Sequence, residues 1–282
     1  MDLEENIEIY QSLKLDEVID HQKFSEYALT HHSTSIEGSS LTKEDTQLLL
    51  DEGITPKGKP LEHSLMVKDH YEALQFTLSN ARAKRPVTVE LIQKIAGLVL
   101  QHTGKIYNTV LGNIDSSKGE FRKGNVTAGG SYFVNYDKVE TYTKKLADHL
   151  QKEMASPKTI IEQIELANAA HFDLVSIHPF YDGNGRTSRL LMNYIQAYYN
   201  LPLANVFRED RAQYFTALTD ARKKEDINIF QDFMKEQYNK LLTTEIEAFQ
   251  QMKNGKTLLP KKSKGLRSEK RKGKGLGYSI FF

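Results

Sequence analysis

The residues best suited to chemistry lie in one short segment, 178–189, between two stretches of apolar helical periodicity. The helix before it is predicted to end at His178-Pro179, because the residue before a proline disfavours the α conformation. The turn 182–185 reads Asp-Gly-Asn-Gly, and a new helix is predicted from Arg186. A glycine-rich turn that leads into a helix directs backbone N–H groups and the positive end of the helix dipole at one point. This segment therefore predicts an anion site.

Two arginines and two titratable side chains indicate which anion would fit. Arg186 and Arg189 share a face of the first helical turn, where cations oppose the dipole and stability alone would not place them. Two guanidinium groups suit a polyphosphate better than a single carboxylate. Asp182 could hold a Mg²⁺ that bridges phosphates, and His178 can accept a proton near neutral pH. Together these groups point to phosphoryl or nucleotidyl transfer.

Other interpretations of the segment stay open on spacing alone. Gly-Asn-Gly turns are common, so 182–186 could be an ordinary turn with surface arginines. The segment is not a Walker A loop, because the Lys is missing and a helix precedes it instead of a strand. A metal hydrolase using His171, His178 and Asp182 would lack a third histidine at ligand spacing, and His171 suits a core position better. The other seven histidines are expected at the surface or at helix caps.

The composition describes a chain of 282 residues, 39% apolar and 27% charged, that can bury a core. It contains no run of about 18 apolar residues, so no membrane span is predicted. The absence of cysteine excludes disulfides and zinc–thiolate sites and suits a reducing compartment, so a cytoplasmic location is expected. Residues 253–282 hold 10 Lys or Arg against one acid, whereas the rest of the chain holds 28 basic and 36 acidic residues. This basic tail is predicted as a solvated extension, and an anionic partner such as nucleic acid is expected there if anywhere.

Helical periodicity runs through nearly the whole chain, so the predicted class is all-α. Helices are predicted over 15–28, from Thr42 to Gly53, over 61–84, from Thr88 to Gly104, and over 139–154, 160–177, 186–199 and 210–249. Residues 105–137 differ, being rich in glycine and asparagine. The pieces 125–127 and 131–134 flank Gly129-Gly130, which on this pattern alone fits a small hairpin and a long loop equally well.

The string 178–189 resembles the signature of the Fic (Fido) family, His-x-Phe-x-Asp/Glu-Gly-Asn-Gly-Arg-x-x-Arg, and matches it at every specified position. Gly119-Glu120-Phe121-Arg122 resembles the segment that introduces the family's β-hairpin flap. The resemblance extends over about 15–240 and implies an all-α, Fic-type helical bundle with a small β-hairpin flap beside the active site. It implies a helical region at 1–85, a catalytic core at 86–205 and further helices of the same globular unit at 206–250, before a basic tail at 251–282.

The activity that the resemblance implies is protein adenylylation (AMPylation), in which AMP passes from ATP to a Ser, Thr or Tyr hydroxyl of a target protein. Such a nucleotidyltransferase requires Mg²⁺, and self-modification and homodimers are common in relatives. The implied general base is His178, the metal ligand Asp182, the nucleotide-binding residues Gly183, Asn184, Gly185, Arg186 and Arg189, the loop anchor Phe180, and the target-positioning flap residues Asn125, Val126, Thr127, Ser131 and Tyr132. One departure is that Phe133-Val134-Asn135-Tyr136 stands where the family often has prolines.

A second motif, residues 33–38, resembles the inhibitory motif of the family, Ser/Thr-x-x-x-Glu-Gly/Asn, in the class II arrangement that precedes the catalytic core. Taken alone it could be a plain helix end, with Gly38 after the last turn. The resemblance implies that Glu37 pairs with Arg189 and occupies the space of the ATP γ-phosphate, while Ser33 helps to hold the inhibitory helix. It leaves three alternatives open: a de-adenylylase, a relative that transfers another nucleotidyl or phosphoryl group, and a non-catalytic module that senses nucleotide.

Overall fold

The computed structural model describes residues 2–15 and 20–253, and within them the protein is a bundle of helices with two small antiparallel hairpins. The helices are α1 (Leu3–Ser12), α2 (His21–Ile36), α3 (Lys43–Glu52), α4 (Leu61–Arg82), α5 (Val89–Val99), α6 (Val139–Met154), α7 (Ile160–Ile177), α8 (Asn184–Tyr198), α9 (Arg211–Lys224) and α10 (Asn228–Lys253). The strands are β1 (Ile106–Thr109), β2 (Gly112–Asp115), β3 (Thr127–Ala128) and β4 (Ser131–Tyr132). The predicted all-α class is confirmed. Part of the first predicted helix and nearly all of the basic tail lie outside the described residues.

Local capping explains why several helices begin where the sequence predicts. Thr42 and Asp45 form a complete capping box at the start of α3, with both reciprocal hydrogen bonds at 3.0 Å. Thr88 accepts a backbone N–H at the start of α5. Thr159 and Glu162 form a second capping box at the start of α7. The bounds of α6 and α7 agree with the predicted ones.

Other boundaries differ from the predicted ones, and a tertiary contact explains one of them. The helix expected over 15–28 begins at His21, and α1, which was not predicted, precedes it. Helix α5 ends at Val99 rather than near residue 104, because Asp69 of α4 accepts the backbone N–H groups of 102 and 103 and turns the chain there. The helical stretch expected over 210–249 is divided into two helices at a point that was not predicted, since Glu225 adopts a left-handed φ of 51° and ends α9.

The two hairpins lie between α5 and α6. The predicted one, β3–β4, turns through Gly129 and Gly130, both at positive φ, and pairs Thr127 with Tyr132. Its strands are two residues long, shorter than the stretches 125–127 and 131–134 that the sequence suggested. The hairpin β1–β2 was not predicted. It pairs 106–109 with 112–115 and packs its Tyr107 ring on Tyr181 at 4.6 Å.

One core joins the N-terminal, central and C-terminal segments, since the main cluster of buried apolar residues extends from Leu3 to Ile246. Helix α8 is its centre: it packs chiefly against α7 and α4, and also against α5 and α2. The predicted core position of His171 is confirmed, because its side chain is fully buried. Three histidines expected at the surface or caps, His31, His32 and His70, are instead buried, because α2 and α4 pack against each other and against neighbouring elements. Among the residues described, no helix is both long and apolar enough to cross a membrane.

Candidate active site

The segment 178–189 forms a tight loop between α7 and α8. His178 ends α7 in a left-handed conformation at φ 52°, and Gly183, at φ 77°, directly precedes α8. Helix α8 therefore begins at Asn184, two residues before the predicted start at Arg186. The first backbone donor used within α8 is the N–H of Thr187, which bonds the carbonyl oxygen of Gly183 at 2.9 Å. In the described part of the chain the N–H groups of 184–186 have no partner, as an anion cradle requires.

The loop is held internally by Phe180 and Asn184. The side-chain amide of Asn184 accepts the N–H of Phe180 at 3.0 Å and donates to its carbonyl at 2.8 Å. The Phe180 ring is 2% exposed and packs against Phe121, as expected of an anchor. Both polar atoms of the Asn184 side chain therefore make hydrogen bonds that close the loop. The backbone N–H of Asn184 stays available to a ligand.

His178 is oriented by one hydrogen bond and one aromatic contact. Its Nδ1 lies 3.3 Å from the carbonyl oxygen of Val175, which can only accept, so Nδ1 carries the proton and Nε2 is the basic nitrogen of the neutral ring. The ring of Phe133 stacks on the imidazole with centroids 4.0 Å apart and planes at 21°. Burial lowers the pKa of His178 to about 4, and Arg122 and Arg222 act in the same direction. His178 is therefore neutral at pH 7 and able to accept a proton.

Asp182 and Arg186 form an ion pair at the start of α8. The Asp182 side chain is 50% exposed, and its Oδ1 accepts the N–H of Gly183 at 2.6 Å and faces Arg186 Nη2 at 3.4 Å. The other oxygen, Oδ2, has no partner among the described residues. Arg186 is buried and donates to the carbonyl of Val99 at 3.3 Å. One half-exposed carboxylate beside an anion cradle fits a Mg²⁺ whose remaining ligands are phosphate oxygens and waters.

Arg189 contacts the N-terminal motif, as the resemblance predicts. Its Nη2 lies 2.7 Å from Oε1 of Glu37 and 2.9 Å from the carbonyl oxygen of Ser33, and its Nε donates to the Ser33 hydroxyl at 2.9 Å. A Cβ atom at Gly185 would lie 2.5 Å from Glu37 Oε1, so the glycine makes room for this carboxylate directly beside the cradle. Gly38 follows with φ 105°, which a residue with a side chain rarely adopts, and turns the chain out of α2.

The charge of this contact is settled by its surroundings. Burial disfavours ionisation of Glu37, but Arg189 and Arg186 outweigh burial and hold the pKa of its carboxyl below the usual range. A Glu37 carboxylate facing a buried guanidinium therefore occupies the end of the cradle with negative charge. A phosphate at the same place would meet like charge and the bulk of the carboxylate.

Two residues that support the site were not singled out by the sequence as site residues. Tyr214 of α9 accepts from Arg189 Nη1 at 3.4 Å and bonds His171 Nε2 at 2.9 Å, which ties α7, α8 and α9 together. Arg122, 2% exposed, donates from Nε to the carbonyl of His178 at 2.8 Å and also bonds the carbonyls of Gly124 and Val134. The motif around Arg122 was a signal for it, whereas nothing local distinguishes Tyr214.

The flap residues predicted to position a target lie at the outer edge of this site. Asn125, Thr127 and Tyr132 are exposed, and Val126 and Ser131 are half-buried. Asn125 accepts the N–H of Tyr136 at 3.0 Å, which closes the base of the hairpin. The backbone edge of β3–β4 is short. It lies beside His178 because Arg122 donates to the carbonyl of His178 and to the carbonyls of Gly124 and Val134, which flank the hairpin. The loop, the two arginines, the N-terminal motif and the flap are thus brought together.

Comparison with known proteins agrees with this geometry. Residues 86–196 match the model of the Fic/DOC family. The chain is 30% identical over 213 residues to the curated "Protein adenylyltransferase Fic" of Drosophila willistoni and of Drosophila melanogaster, covering 75% of this chain and 40% of each relative. It thus spans about 40% of the length of the curated relatives it matches.

Solved structures show the same fold. A Fic domain containing signalling protein from Bacteroides thetaiotaomicron superposes with a TM-score of 0.76 at 23% identity, covering 92% of this chain and all of that chain. Fic-1 from C. elegans (residues 134–508) superposes with a TM-score of 0.72 at 23% identity, covering 89% of this chain and 72% of that chain. With a matching domain model, similar curated relatives and the loop geometry in agreement, the chain belongs to the Fic family.

Proposed function

We propose that the chain is a protein adenylyltransferase that Glu37 holds in a restrained state. The observation that carries the activity is the placement of a neutral His178 at the end of α7, one loop away from the free N–H groups of α8 and the guanidinium groups of Arg186 and Arg189. A general base beside a polyphosphate cradle suits transfer from a nucleotide to a hydroxyl group. The names of the curated relatives support the same activity.

The reaction assigns each bond and proton. His178 Nε2 accepts the proton of a target Ser, Thr or Tyr hydroxyl, and the hydroxyl oxygen attacks the α-phosphorus of ATP. The bond between that phosphorus and the α–β bridging oxygen breaks, pyrophosphate leaves, and AMP stays on the target. Arg186, Arg189 and the N–H groups of 184–186 hold the departing phosphates and stabilise their charge. The flap would align the target by strand pairing, which tolerates many sequences.

Asp182 is the residue we propose for Mg²⁺. When bound there, the metal would neutralise phosphate charge as the leaving group departs. Asp182 is suited to this because one of its oxygens is fixed by the Gly183 N–H and the other is available. The carboxylate thereby holds one fixed orientation at the mouth of the cradle.

Replacing Asp182 with asparagine is expected to lower AMP transfer at 1 mM Mg²⁺ by about 100-fold or more, because an amide binds a divalent cation far more weakly than a carboxylate does. The loop should survive, since the asparagine oxygen can still accept the Gly183 N–H. The measurement is transfer from α-labelled ATP over a Mg²⁺ titration. An unchanged rate and an unchanged metal dependence would contradict the assignment of Asp182.

The restraint follows from the contact of Glu37 with Arg189. Arg189 is needed for the terminal phosphates, but its Nη2 and Nε are already bonded to Glu37 and Ser33 of α2. ATP can bind productively only when α2 releases Arg189. If the closed state is favoured by about 2–3 kcal/mol, the competent fraction is about 1–3%.

Glu37 also supports the reverse direction as a second candidate. Its carboxylate lies beside the cradle and stays ionised, so it could orient a water molecule against AMP that is already attached to a protein. The same residue would then restrain one reaction and assist the other. Removing Glu37 would raise transfer to the target and abolish removal of AMP, which separates the two roles.

The test of the proposed function is intact-mass spectrometry of the Glu37→Gly chain with Mg-ATP, with a lysate as a source of targets. The expected result is a mass increase equal to one AMP, together with transfer of an α-label and no transfer of a γ-label. A γ-label on protein would instead identify a kinase. UTP as the only accepted donor would identify another nucleotidyltransferase. Nucleotide binding without any covalent product, in this variant as well, would identify a sensing module.

Location, assembly and the tail belong to the same proposal. A chain without cysteine suits the reducing cytoplasm. The resemblance to the family also implies a homodimer. The basic tail is expected to be a solvated extension, and nucleic acid or another anionic partner would bind there if anywhere, since the rest of the chain is acidic. Sedimentation of the full chain, with and without a duplex DNA, measures whether the chain forms a homodimer and whether it binds DNA.

A further inference from the structure

Among the described residues, a single hydrogen bond orients the imidazole of His178. The hydrogen bond from its Nδ1 to the carbonyl oxygen of Val175 is long, at 3.3 Å, so it restrains rotation of the imidazole only weakly. The backbone of His178 is also left-handed, at φ 52°, so the side-chain rotamer preferences of a regular helix do not apply to it. Something else must hold the imidazole plane.

Phe133 supplies that restraint. Its ring stacks on the imidazole with centroids 4.0 Å apart and planes at 21°, close enough to block rotation of the imidazole out of its plane. The guanidinium of Arg222 from α9 lies over the same Phe133 ring at 5.6 Å, a distance at which a cation attracts an aromatic face. Phe133 is therefore held between a helix and the catalytic loop.

The flap cannot move Phe133 independently of His178. Arg122 bonds the His178 carbonyl with one nitrogen and the carbonyls of Gly124 and Val134 with its other two. Gly124 and Val134 flank the hairpin, and Val134 directly follows Phe133. One buried guanidinium thus ties the backbone beside Phe133 to the backbone of the base.

We propose that Phe133 is a positioning residue for His178, and that its ring, carried by the flap, keeps Nδ1 on Val175 and leaves Nε2 to accept the proton of the target. This rests on the proposed function in naming His178 as the base, but the geometry it asserts can be measured without turnover. Phe133 belongs to the segment 133–136, in which this chain departs from the family pattern. An aromatic ring thereby becomes part of the acid–base apparatus.

The same stack accounts for part of the burial that lowers the pKa of His178 to about 4. The charged groups that face His178 are Arg122 at the flap base, Arg222 of α9 and Glu37 of α2; the two arginines lower the pKa and Glu37 raises it. Removing the ring would admit water, so the pKa should rise toward 6.5, the ordinary value for histidine. A larger fraction of His178 would then be protonated at pH 5.5, where the ring now keeps it neutral.

The first experiment is an NMR pH titration of His178 in the native chain and in Phe133→Leu, with His178→Asn used to assign its resonance. The expected result is a rise of about one pH unit or more in Phe133→Leu and little change in Phe133→Tyr, which keeps the aromatic stack. Tyr142→Leu is the matched control, because that aromatic lies on α6 with its side chain 41% exposed. An unchanged titration in a folded Phe133→Leu chain would overturn the proposal.

The second experiment measures AMP transfer in the Glu37→Gly background. Phe133→Leu is expected to lower kcat by about tenfold or more with little change in KM for ATP, because a misplaced base slows the chemical step without loosening the nucleotide. The loss should be larger at pH 5.5 than at pH 8 and should be restored by Phe133→Tyr. If Phe133→Leu and Phe133→Tyr had the same kcat and the same pH profile, the positioning role would be contradicted. If no variant transfers AMP at all, the proposed function fails while the titration still tests the position of the ring.

Discussion

Replacing Glu37 with glycine is expected to raise AMP transfer from α-labelled ATP about 30- to 100-fold. The substitution removes the carboxylate that holds Arg189 Nη2 at 2.7 Å and empties the space beside Gly185. A closed state favoured by about 2–3 kcal/mol leaves 1–3% of molecules competent, so releasing it can gain this factor and no more. The measurement is the initial rate of label incorporation, together with the affinity for ATP, which should rise in proportion.

The matched control is Glu52→Gly, because Glu52 is an exposed glutamate at the end of another helix, α3. It should leave the rate of transfer unchanged. Glu37→Gln should fall between the native chain and Glu37→Gly, since an amide oxygen can still accept from Arg189 without a negative charge. A rate that stays at the native level in Glu37→Gly would contradict the restraint, whatever the activity proves to be.

Replacing His178 in the Glu37→Gly background is expected to lower AMP transfer by about 10³-fold or more. No other described side chain combines a neutral basic nitrogen with a place at the end of the loop, and a positioned base contributes about 10²–10⁴-fold. Because His178 is left-handed at φ 52°, His178→Asn is the better variant, since asparagine tolerates this conformation and alanine is strained by it. The transfer rate is measured by label incorporation, and ATP binding is measured separately by calorimetry.

Binding of ATP should persist in His178→Asn, because the cradle and both arginines are untouched. The control is His149→Ala, an exposed histidine of α6, which should keep full activity. Transfer that survives in His178→Asn at the rate of its parent would show that another group takes the proton. Loss of binding together with transfer would show that the loop itself had collapsed.

Much of the fold could be predicted because its determinants are local. Thr42, Thr88 and Thr159 place the starts of α3, α5 and α7 through hydrogen bonds made within three residues. Boundaries set by distant contacts could not be predicted in this way. The end of α5 depends on Asp69, more than 30 residues earlier, and periodicity alone carries no signal for it.

The candidate site also has a part that adjacent residues predict and a part that depends on contacts between distant residues. Residues 178–189 could be identified from the chain alone as an anion site with a base, because a glycine turn, a helix N-terminus and two arginines are adjacent in sequence. The pairing of Glu37 with Arg189 was expected only through the resemblance, and the spacing of 33–38 by itself allowed a plain helix end. The hydrogen bonds of the Asn184 side chain to Phe180 could not be predicted either, because which atoms close the loop depends on its folded path.

The sequence by itself determined the chemical inventory of this protein: an imidazole, a carboxylate, two guanidinium groups and a glycine turn at the start of a helix. Those features follow from spacing along one chain, where backbone geometry repeats over a few residues. Only the tertiary structure decided how the inventory is used. It placed Ser33 and Glu37 on Arg189 across more than 150 residues, and it placed Phe133 over His178 across about 45. Contacts between distant segments depend on how helices pack, and packing is a property of the whole core.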